Sequence, residues 1–237
     1  MSRTVDWAAL RPPEPGVSES EGLRERKKRQ TRQLLSDTAT EMFIERGFDA
    51  VRVAQVAEAC GVSEKTVYNY FPTKESLLLD RWDSTMVSLR IGLADRDVSP
   101  IQTALEILAD ELSAITSWLA AQADVVMAIA LFQRFGALLG GTPALRAHQR
   151  EMTDLLVTAV AEILAERTDT RVDDPEPQIS AIALVGLWQV QFQSLKKHLN
   201  DSHTPERIHR AVMSDTERAA SLIETGIGTV AREVASR

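Results

Sequence analysis

Residues 53–71, VAQVAEACGVSEKTVYNYF, decide the fold of this chain. Apolar side chains recur at helical spacing on both sides of Cys60-Gly61-Val62, which indicates two short helices joined by a tight turn. We expect a positive φ at Gly61, because glycine adopts it without steric cost, and we expect Ser63 to cap the second helix. This pattern is typical of a helix-turn-helix, which places its second helix in the major groove of DNA.

The outer face of the second helix carries side chains that can all form hydrogen bonds: Ser63, Glu64, Lys65, Thr66, Tyr68, Asn69 and Tyr70. Three of them suit base edges, since Glu64 can accept from cytosine N4, Lys65 can donate to guanine and Asn69 can pair with adenine. The inner face is predicted to pack against the first helix through Val67 and Phe71.

A longer helix is predicted before this motif, from Glu25 to Arg46, with Gly47 as its end. Its start is strongly basic, because residues 24–32 hold six basic side chains and one acidic one. Such a segment beside a helix-turn-helix favours contact with phosphates. The basic residues expected at DNA are Arg24, Lys27, Lys28 and Arg29, together with Arg52.

Beyond Pro72, which ends the third helix, the pattern stays helical. A helix over 74–90 is expected to join the two halves of the chain. Five more are predicted over about 99–120, 123–139, 143–167, 177–199 and 204–235. No stretch shows the period-two alternation of a strand, so the fold class is all-α with about nine helices.

Composition excludes several classes of protein. The single cysteine rules out an intrachain disulfide, and no apolar run approaches the ~20 residues of a membrane span. No nucleophile motif, paired-acid signature, metal-ligand spacing or cofactor loop is present, so we predict neither an enzyme nor a metal or cofactor site. With no leader-like segment, the expected location is the cytoplasm.

The net charge of −7 is unevenly distributed. Residues 23–90 carry twelve basic and ten acidic side chains, whereas residues 91–237 carry thirteen basic and twenty acidic ones. The N-terminal part of the chain is therefore slightly basic and the longer C-terminal part is acidic. For this reason the negative net charge of the whole chain does not argue against nucleic acid as a partner.

Residues 24–78 resemble the N-terminal DNA-binding domain of the TetR family of bacterial transcriptional repressors. The segments that carry this resemblance are 24–29, Phe43–Phe48, Val56-Ala57, Ala59–Ser63, Thr66–Phe71 and Lys74–Leu77. By position in the motif, Tyr68, Tyr70 and Lys74 match phosphate-contacting residues, with Thr66 beside them. Two departures from the family pattern are Arg52, where threonine is common, and Cys60, where alanine is usual.

The resemblance implies a homodimer that binds a palindromic operator and leaves DNA when a small-molecule effector enters the C-terminal domain. It divides the chain into a disordered tail (1–22), a helix-turn-helix domain (23–78) and a ligand-binding and dimerisation domain (79–237). The alternative is a DNA-binding regulator of the same fold without a small-molecule inducer, which would be an activator or be controlled by a protein partner.

Two further sets of residues are predicted in the C-terminal helices. A ligand pocket is expected from aromatic residues and their polar neighbours: Trp118, Phe132, Gln133, Phe135, His148, Met152, Trp188, Gln189 and Phe192. A two-fold interface is expected along the last two helices, where small and apolar residues recur three and four apart: Leu184, Trp188, Thr216, Ala219, Ala220, Ile223 and Ile227.

Overall fold

The computed structural model describes residues 22–79, 81–200 and 203–226. Within these ranges the backbone forms nine α-helices and one short 3₁₀ turn, and no strand, which confirms the predicted all-α class. The helices are α1 (Leu23–Arg46), α2 (Val53–Ala59), α3 (Glu64–Tyr70), α4 (Arg81–Ala94), α5 (Pro100–Ala120), α6 (Val125–Gly141), α7 (Pro143–Thr168), α8 (Pro175–His198) and α9 (Pro205–Thr225), with the 3₁₀ turn at Glu75–Leu77.

The predicted tail of residues 1–22 lies, apart from Gly22, outside the described residues. The last helix was expected to reach residue 235, and residues 227–237, among them Ile227, also lie outside that range. The five predicted helices from 99 onward start within two residues of the observed ones.

Four of the long helices begin with proline, namely α5, α7, α8 and α9. Proline suits the first position of a helix because its fixed φ is already helical and its missing N–H would have no partner there. The residue before each of these prolines is extended and is a serine, threonine or aspartate. These signals for a helix start involve only neighbouring residues. The starts of these four helices could therefore be predicted from the sequence to within two residues.

The core of the N-terminal helices extends into the C-terminal half of the chain. Phe43 of α1, Val56 of α2 and Val67 of α3 are completely buried in one cluster. Leu139 of α6 and Leu145 of α7 are buried in the same cluster. The predicted domain boundary after residue 78 therefore separates helices that share one hydrophobic core.

Two further clusters build the C-terminal half. One joins α5, α6 and α9 around Leu112, Phe132 and Ile208. The other joins α4, α5, α7 and α8 around Leu108 and Leu187, which are both buried. Together they make a helical body in which α5 contributes to both clusters.

A polar cluster fastens α9 to α8 at the surface of this body. The Asp215 carboxylate accepts hydrogen bonds from Ser194 Oγ at 2.8 Å and from Arg218 Nη2 at 2.7 Å, and lies 3.1 Å from His198 Nε2 and 3.6 Å from Lys197 Nζ. The Ser194 hydrogen bond, followed by those from His198 and Arg218, holds the pKa of Asp215 well below its ordinary range. The carboxylate therefore stays charged and keeps the two helices together.

The helix α4 connects the two halves and is held at its C-terminal end by Arg167 of α7. The guanidinium donates to the carbonyl oxygens of Leu93 at 2.7 Å and Val98 at 2.8 Å. Close to this end, Gly92 lies against α5, and a Cβ at Gly92 would come within 2.6 Å of Thr103 Cγ2. The absence of a side chain at residue 92 therefore sets the distance between α4 and α5.

We predict that Gly92→Ala destabilises the protein although alanine favours helix. The added methyl would overlap the buried, β-branched Thr103, and overpacking of this kind costs about 1–3 kcal/mol of the free energy of unfolding. Urea unfolding followed by circular dichroism measures the change.

Gly136→Ala is the matched control, because a Cβ at this position in α6 meets no atom within 4 Å. It should stabilise the protein by up to about 1 kcal/mol through helix propensity alone. Equal effects of the two substitutions would show that the contact between α4 and α5 does not constrain residue 92.

Candidate nucleic-acid interface

The turn between α2 and α3 is built as the sequence predicts. Gly61 has a φ of 68°, and the N–H of Val62 donates to the Ala57 carbonyl at 3.0 Å. Ser63 is the N-cap of α3, where its Oγ accepts from the backbone N–H of Thr66 at 3.1 Å. The cap satisfies an N–H that would otherwise have no partner, and it fixes the first turn of α3.

The inner face of helix α3 packs against the N-terminal core. Val67 and Phe71 are completely buried, and Val62 and Tyr70 are partly buried against the same cluster. The residues of α3 that contact the core, Val67 and Tyr70, lie on its inner side. The outer side of the helix is therefore available to a partner.

The outer face of α3 presents the predicted base-reading side chains together. Glu64, Lys65 and Asn69 are exposed, as is Ser63, and Tyr68 is 46% exposed. Thr66 and Tyr70 are only half-buried, and the Thr66 hydroxyl shares a 2.8 Å hydrogen bond with Ser63. The exposed residues supply both donors and acceptors, which major-groove edges require.

The predicted basic residues differ in exposure. Arg24, Lys27 and Lys28 are exposed in the first turns of α1, and Arg29 is half-buried. Arg52 is exposed at the N-cap of α2, where its backbone N–H donates to Gln55 Oε1 at 2.8 Å. The Arg52 side chain is therefore not needed for the cap.

Lys74 has an internal role that the sequence did not reveal. Its Nζ donates to the Phe48 carbonyl at 2.6 Å and lies 4.3 Å from the centre of the Phe48 ring. The side chain thereby ties the segment after α3 to the loop before α2. One ammonium N–H is used in this way, and the predicted phosphate contact of Lys74 stays a prediction.

Arg32 was counted in the basic start of α1, but the structure turns it inward. Its Nη1 donates to the carbonyl oxygen of Tyr70 at 3.0 Å, and its guanidinium lies 4.8 Å from the centre of the Phe71 ring. The carbonyl at the end of α3 has no partner within the helix, so this bond both satisfies it and fixes α3 against α1.

The nine predicted pocket residues lie in different environments. Trp118 and Phe132 are buried and pack with their ring centres 5.9 Å apart, and Phe132 lies 6.4 Å from Phe135. Gln133 Nε2 donates to the Leu199 carbonyl at 2.9 Å, so its amide is used within the domain. These aromatic residues form core.

The other predicted pocket residues are also dispersed. His148 and Met152 are half-buried on α7, with His148 Nδ1 3.7 Å from Glu151, whereas Gln189 and Phe192 are exposed on α8. A cavity of about 710 Å³ does exist, but it lies between α5 and α9 and is lined by none of the predicted residues.

Trp188 takes part in a polar contact between three helices. Its indole N–H donates to Glu111 Oε2 of α5 at 3.1 Å, and the Thr85 hydroxyl of α4 donates to Glu111 Oε1 at 2.6 Å. Both oxygens of this half-buried carboxylate therefore hold neighbouring helices. Because Glu111 is distant in sequence from both partners, no local pattern pointed to it.

Three of the seven predicted interface residues face the interior of the subunit. Leu184 of α8 and Thr216 and Ala220 of α9 are at most 3% exposed, because α8 and α9 pack against each other and against α5 within the same chain. Ala219 and Ile223 are half-buried, as is Trp188. The burial of Leu184, Thr216 and Ala220 within the chain removes these three from a subunit interface, since spacing cannot tell which helix covers an apolar stripe. The interface assignment of Trp188, Ala219 and Ile223 stays a prediction.

The described residues contain neither a metal-binding cluster nor a single membrane-spanning helix. No cluster of three or more histidine, cysteine, aspartate or glutamate side chains is arranged to hold a metal ion in residues 22–79, 81–200 or 203–226. In the same ranges, no single helix is both long and apolar enough to span a membrane. One pair does meet the length and composition criteria jointly, Val125–Gly141 with Pro143–Thr168, bent by 85°.

Helix α3 is capped, packs its inner face on the N-terminal core and exposes hydrogen-bonding side chains on its outer face. These features define the class of DNA-binding transcriptional regulators with a helix-turn-helix. Comparison with known families agrees with this class. Residues 35–80 match the family model described as bacterial regulatory proteins, tetR family, and residues 130–218 match that of the MftR C-terminal domain. The chain belongs to the TetR family of regulators, which are not enzymes.

Individual relatives are distant. The chain is 27% identical over 155 residues to the HTH-type transcriptional regulator TcmR of Streptomyces glaucescens, covering 65% of this chain and 67% of TcmR. It is 28% identical over 153 residues to MftR of Mycobacterium tuberculosis, named for regulating mycofactocin biosynthesis, covering 65% and 73%. Native NalD of Pseudomonas aeruginosa, the secondary repressor of the MexAB-OprM multidrug efflux pump, is 22% identical, with coverage of 81% and 96% and a TM-score of 0.47.

We predict that Arg32→Ala loosens α3 and lowers the stability of the protein. The substitution removes a hydrogen bond from a charged donor and the contact with the Phe71 ring, together about 2–3 kcal/mol. Thermal unfolding measures the loss.

Lys28→Ala is the matched control, because Lys28 is an exposed cation on the same helix. Its effect on stability should be within about 0.5 kcal/mol. If the two variants unfold at the same temperature, Arg32 does not hold α3 in place.

Proposed function

We propose that this chain is a repressor that binds a palindromic operator as a homodimer and is released from DNA by a small-molecule effector. The observation that carries the proposal is the outer face of α3, where Glu64, Lys65 and Asn69 are exposed side by side on a capped helix. As a regulator of the chromosome, the protein would work in the cytoplasm.

In this proposal the exposed residues divide into two roles. Glu64, Lys65 and Asn69 read base edges in the major groove. Ser63, Thr66, Tyr68, Tyr70 and Lys74 contact phosphates, as do the basic residues Arg24, Lys27, Lys28, Arg29 and Arg52. Phosphate contacts position the helix on any sequence, and the base contacts select the operator.

We place the two-fold interface on the exposed face of α8. Ile179 and Ile182 are 63% and 52% exposed, which is unusual for isoleucine on a helix of a monomer. Gly186 follows one turn later, with no atom within 4 Å of its Cβ position, so a partner backbone could approach closely there. The Asp215 cluster ties α9 to α8, so both helices would enter the interface as one unit.

The same helices offer a route from effector to DNA. Glu111 connects α4 with α5 and α8, and Arg134 of α6 donates to the Ile44 carbonyl of α1 at 2.9 Å. An effector that separates these helices would turn the N-terminal domain and change the distance between the two α3 helices of a dimer. Operator DNA would then be released by a shift in population.

The alternative is a regulator of the same fold that needs no small-molecule inducer. One observation favours it: Gln133 and Trp188, two predicted pocket residues, are hydrogen-bonded inside the domain. A thermal-shift screen with small apolar compounds separates the two candidates, because only the first should be stabilised by a ligand.

Selection of binding sites from randomised DNA tests the proposed recognition. We predict that the wild-type protein recovers a palindrome with half-sites about one helical turn, ~10 base pairs, apart. Asn69→Ala should lose preference at one position in each half-site, at a cost of about 1–3 kcal/mol.

Tyr68→Phe is the comparison, since the loss of a phosphate contact should weaken all sequences equally and leave the base preference unchanged. If the wild-type protein selects no palindrome, the proposal that it binds its operator as a homodimer is contradicted. An unchanged base preference in Asn69→Ala would remove that residue from the recognition set.

We predict that Ile182→Glu converts the dimer to monomers, because it places a charge in the centre of the proposed apolar interface. The subunit should remain folded, since the side chain is already 52% exposed. Sedimentation velocity gives the oligomeric state, and operator affinity should fall with it.

Met127→Glu is the matched control, because Met127 is an equally exposed apolar residue, 63%, on α6. This variant should remain dimeric. An intact dimer of Ile182→Glu would show that α8 does not form the interface.

A further inference from the structure

The cavity between α5 and α9 differs in character from an apolar effector pocket. Its volume is about 710 Å³, within the range of small-molecule sites, and it opens to the surface. Hydroxyl groups line it from both helices, with Ser113 and Ser117 on α5 and Ser214 on α9. A ligand here would meet these hydroxyl groups together with the apolar side chains of Ala120, Pro205 and Met213.

Three charged side chains lie along the α9 wall of this groove. Glu206, Arg210 and Glu217 all line it, and all are exposed. Arg210 and Glu217 are seven residues apart, which is about two helical turns, so their backbone positions share one face of α9 with a rise of about 10.5 Å along the axis. Within the described part of the chain, no ion pair satisfies either side chain.

The wall also carries the imidazole of His209. The Thr116 hydroxyl donates to the Leu112 carbonyl at 3.0 Å. With the hydroxyl proton in that bond, the donor of the 3.2 Å contact between Thr116 Oγ1 and His209 Nδ1 is Nδ1–H. In this tautomer Nε2 carries a lone pair, which can accept an N–H from a ligand.

We infer that this groove binds a short zwitterion, of which a tripeptide with free termini is the simplest example. An extended tripeptide spans about 10 Å, which is close to the axial rise between the backbone positions of Arg210 and Glu217. Its carboxylate would meet Arg210 and its ammonium Glu217, while the serine hydroxyls and His209 Nε2 bind its peptide groups. This inference does not rest on the proposed DNA-binding function, because the groove is separate from α3.

The test uses tri-alanine as the probe and the full-length protein, with calorimetric titration as the measurement. Two blocked peptides isolate the charges: N-acetyl-tri-alanine lacks the ammonium, and tri-alanine amide lacks the carboxylate. Each block should weaken binding about five- to tenfold, as expected for the loss of one charge-assisted hydrogen bond.

Two substitutions assign each terminus to its residue. In Glu217→Gln, acetylation of the peptide should no longer matter, whereas amidation should still weaken binding. In Arg210→Gln the pattern should reverse. This crossed result depends on specific pairing, and a general loss of folding could not produce it.

Arg207→Gln and Glu224→Gln are the matched controls, because both residues are exposed on α9 and neither lines the groove. They should bind all three peptides as the wild type does. Absence of tri-alanine binding, equal binding of the three peptides, or the same effect from the control variants would overturn the inference.

Discussion

The hydrophobic core shared by the N-terminal helices and by α6 and α7 is the constraint on which the rest of the structure depends. Helices α2 and α3 have seven residues each and would be unstable in isolation. They persist because α1 covers them and because Leu139 and Leu145 close the core from the C-terminal half. The position of the exposed outer face of α3 therefore depends on packing on its opposite side.

This shared core also means that the two halves of the chain cannot move independently. A displacement of α6 or α7 must either carry α1 with it or open a cavity beside Phe43, and the second costs several kcal/mol. The hydrogen bond from Arg134 of α6 to the Ile44 carbonyl of α1 also couples the movement of these two helices. A signal received in the C-terminal helices thus has a direct physical route to α3, in addition to the route through α4.

Several polar side chains that could have served a ligand or DNA instead hold helices together. Arg32 satisfies the last carbonyl of α3, Lys74 bonds the loop before α2, and Glu111 joins α4 to α8. In each case a buried or half-buried polar group gains a partner that it would otherwise lack. Because Arg32, Lys74 and Glu111 make these structural hydrogen bonds, the exposed side chains of α3 keep their donors and acceptors available.

The sequence by itself determined most of the helices, the turn at Gly61, the cap at Ser63 and the outer face of α3. These features depend on contacts within three or four positions, so their signals lie next to each other in the chain. The helix predicted over 74–90 is the exception, because the chain forms a 3₁₀ turn at Glu75–Leu77 and α4 begins only at Arg81. The tertiary structure decided which element covers each apolar stripe and which partner each long polar side chain chooses. Thr216 and Ala220 were assigned to a partner subunit but are buried within the chain, and Trp118, Phe132 and Phe135 of the predicted pocket pack as core. Those outcomes depend on residues tens of positions apart, whose proximity no local pattern encodes.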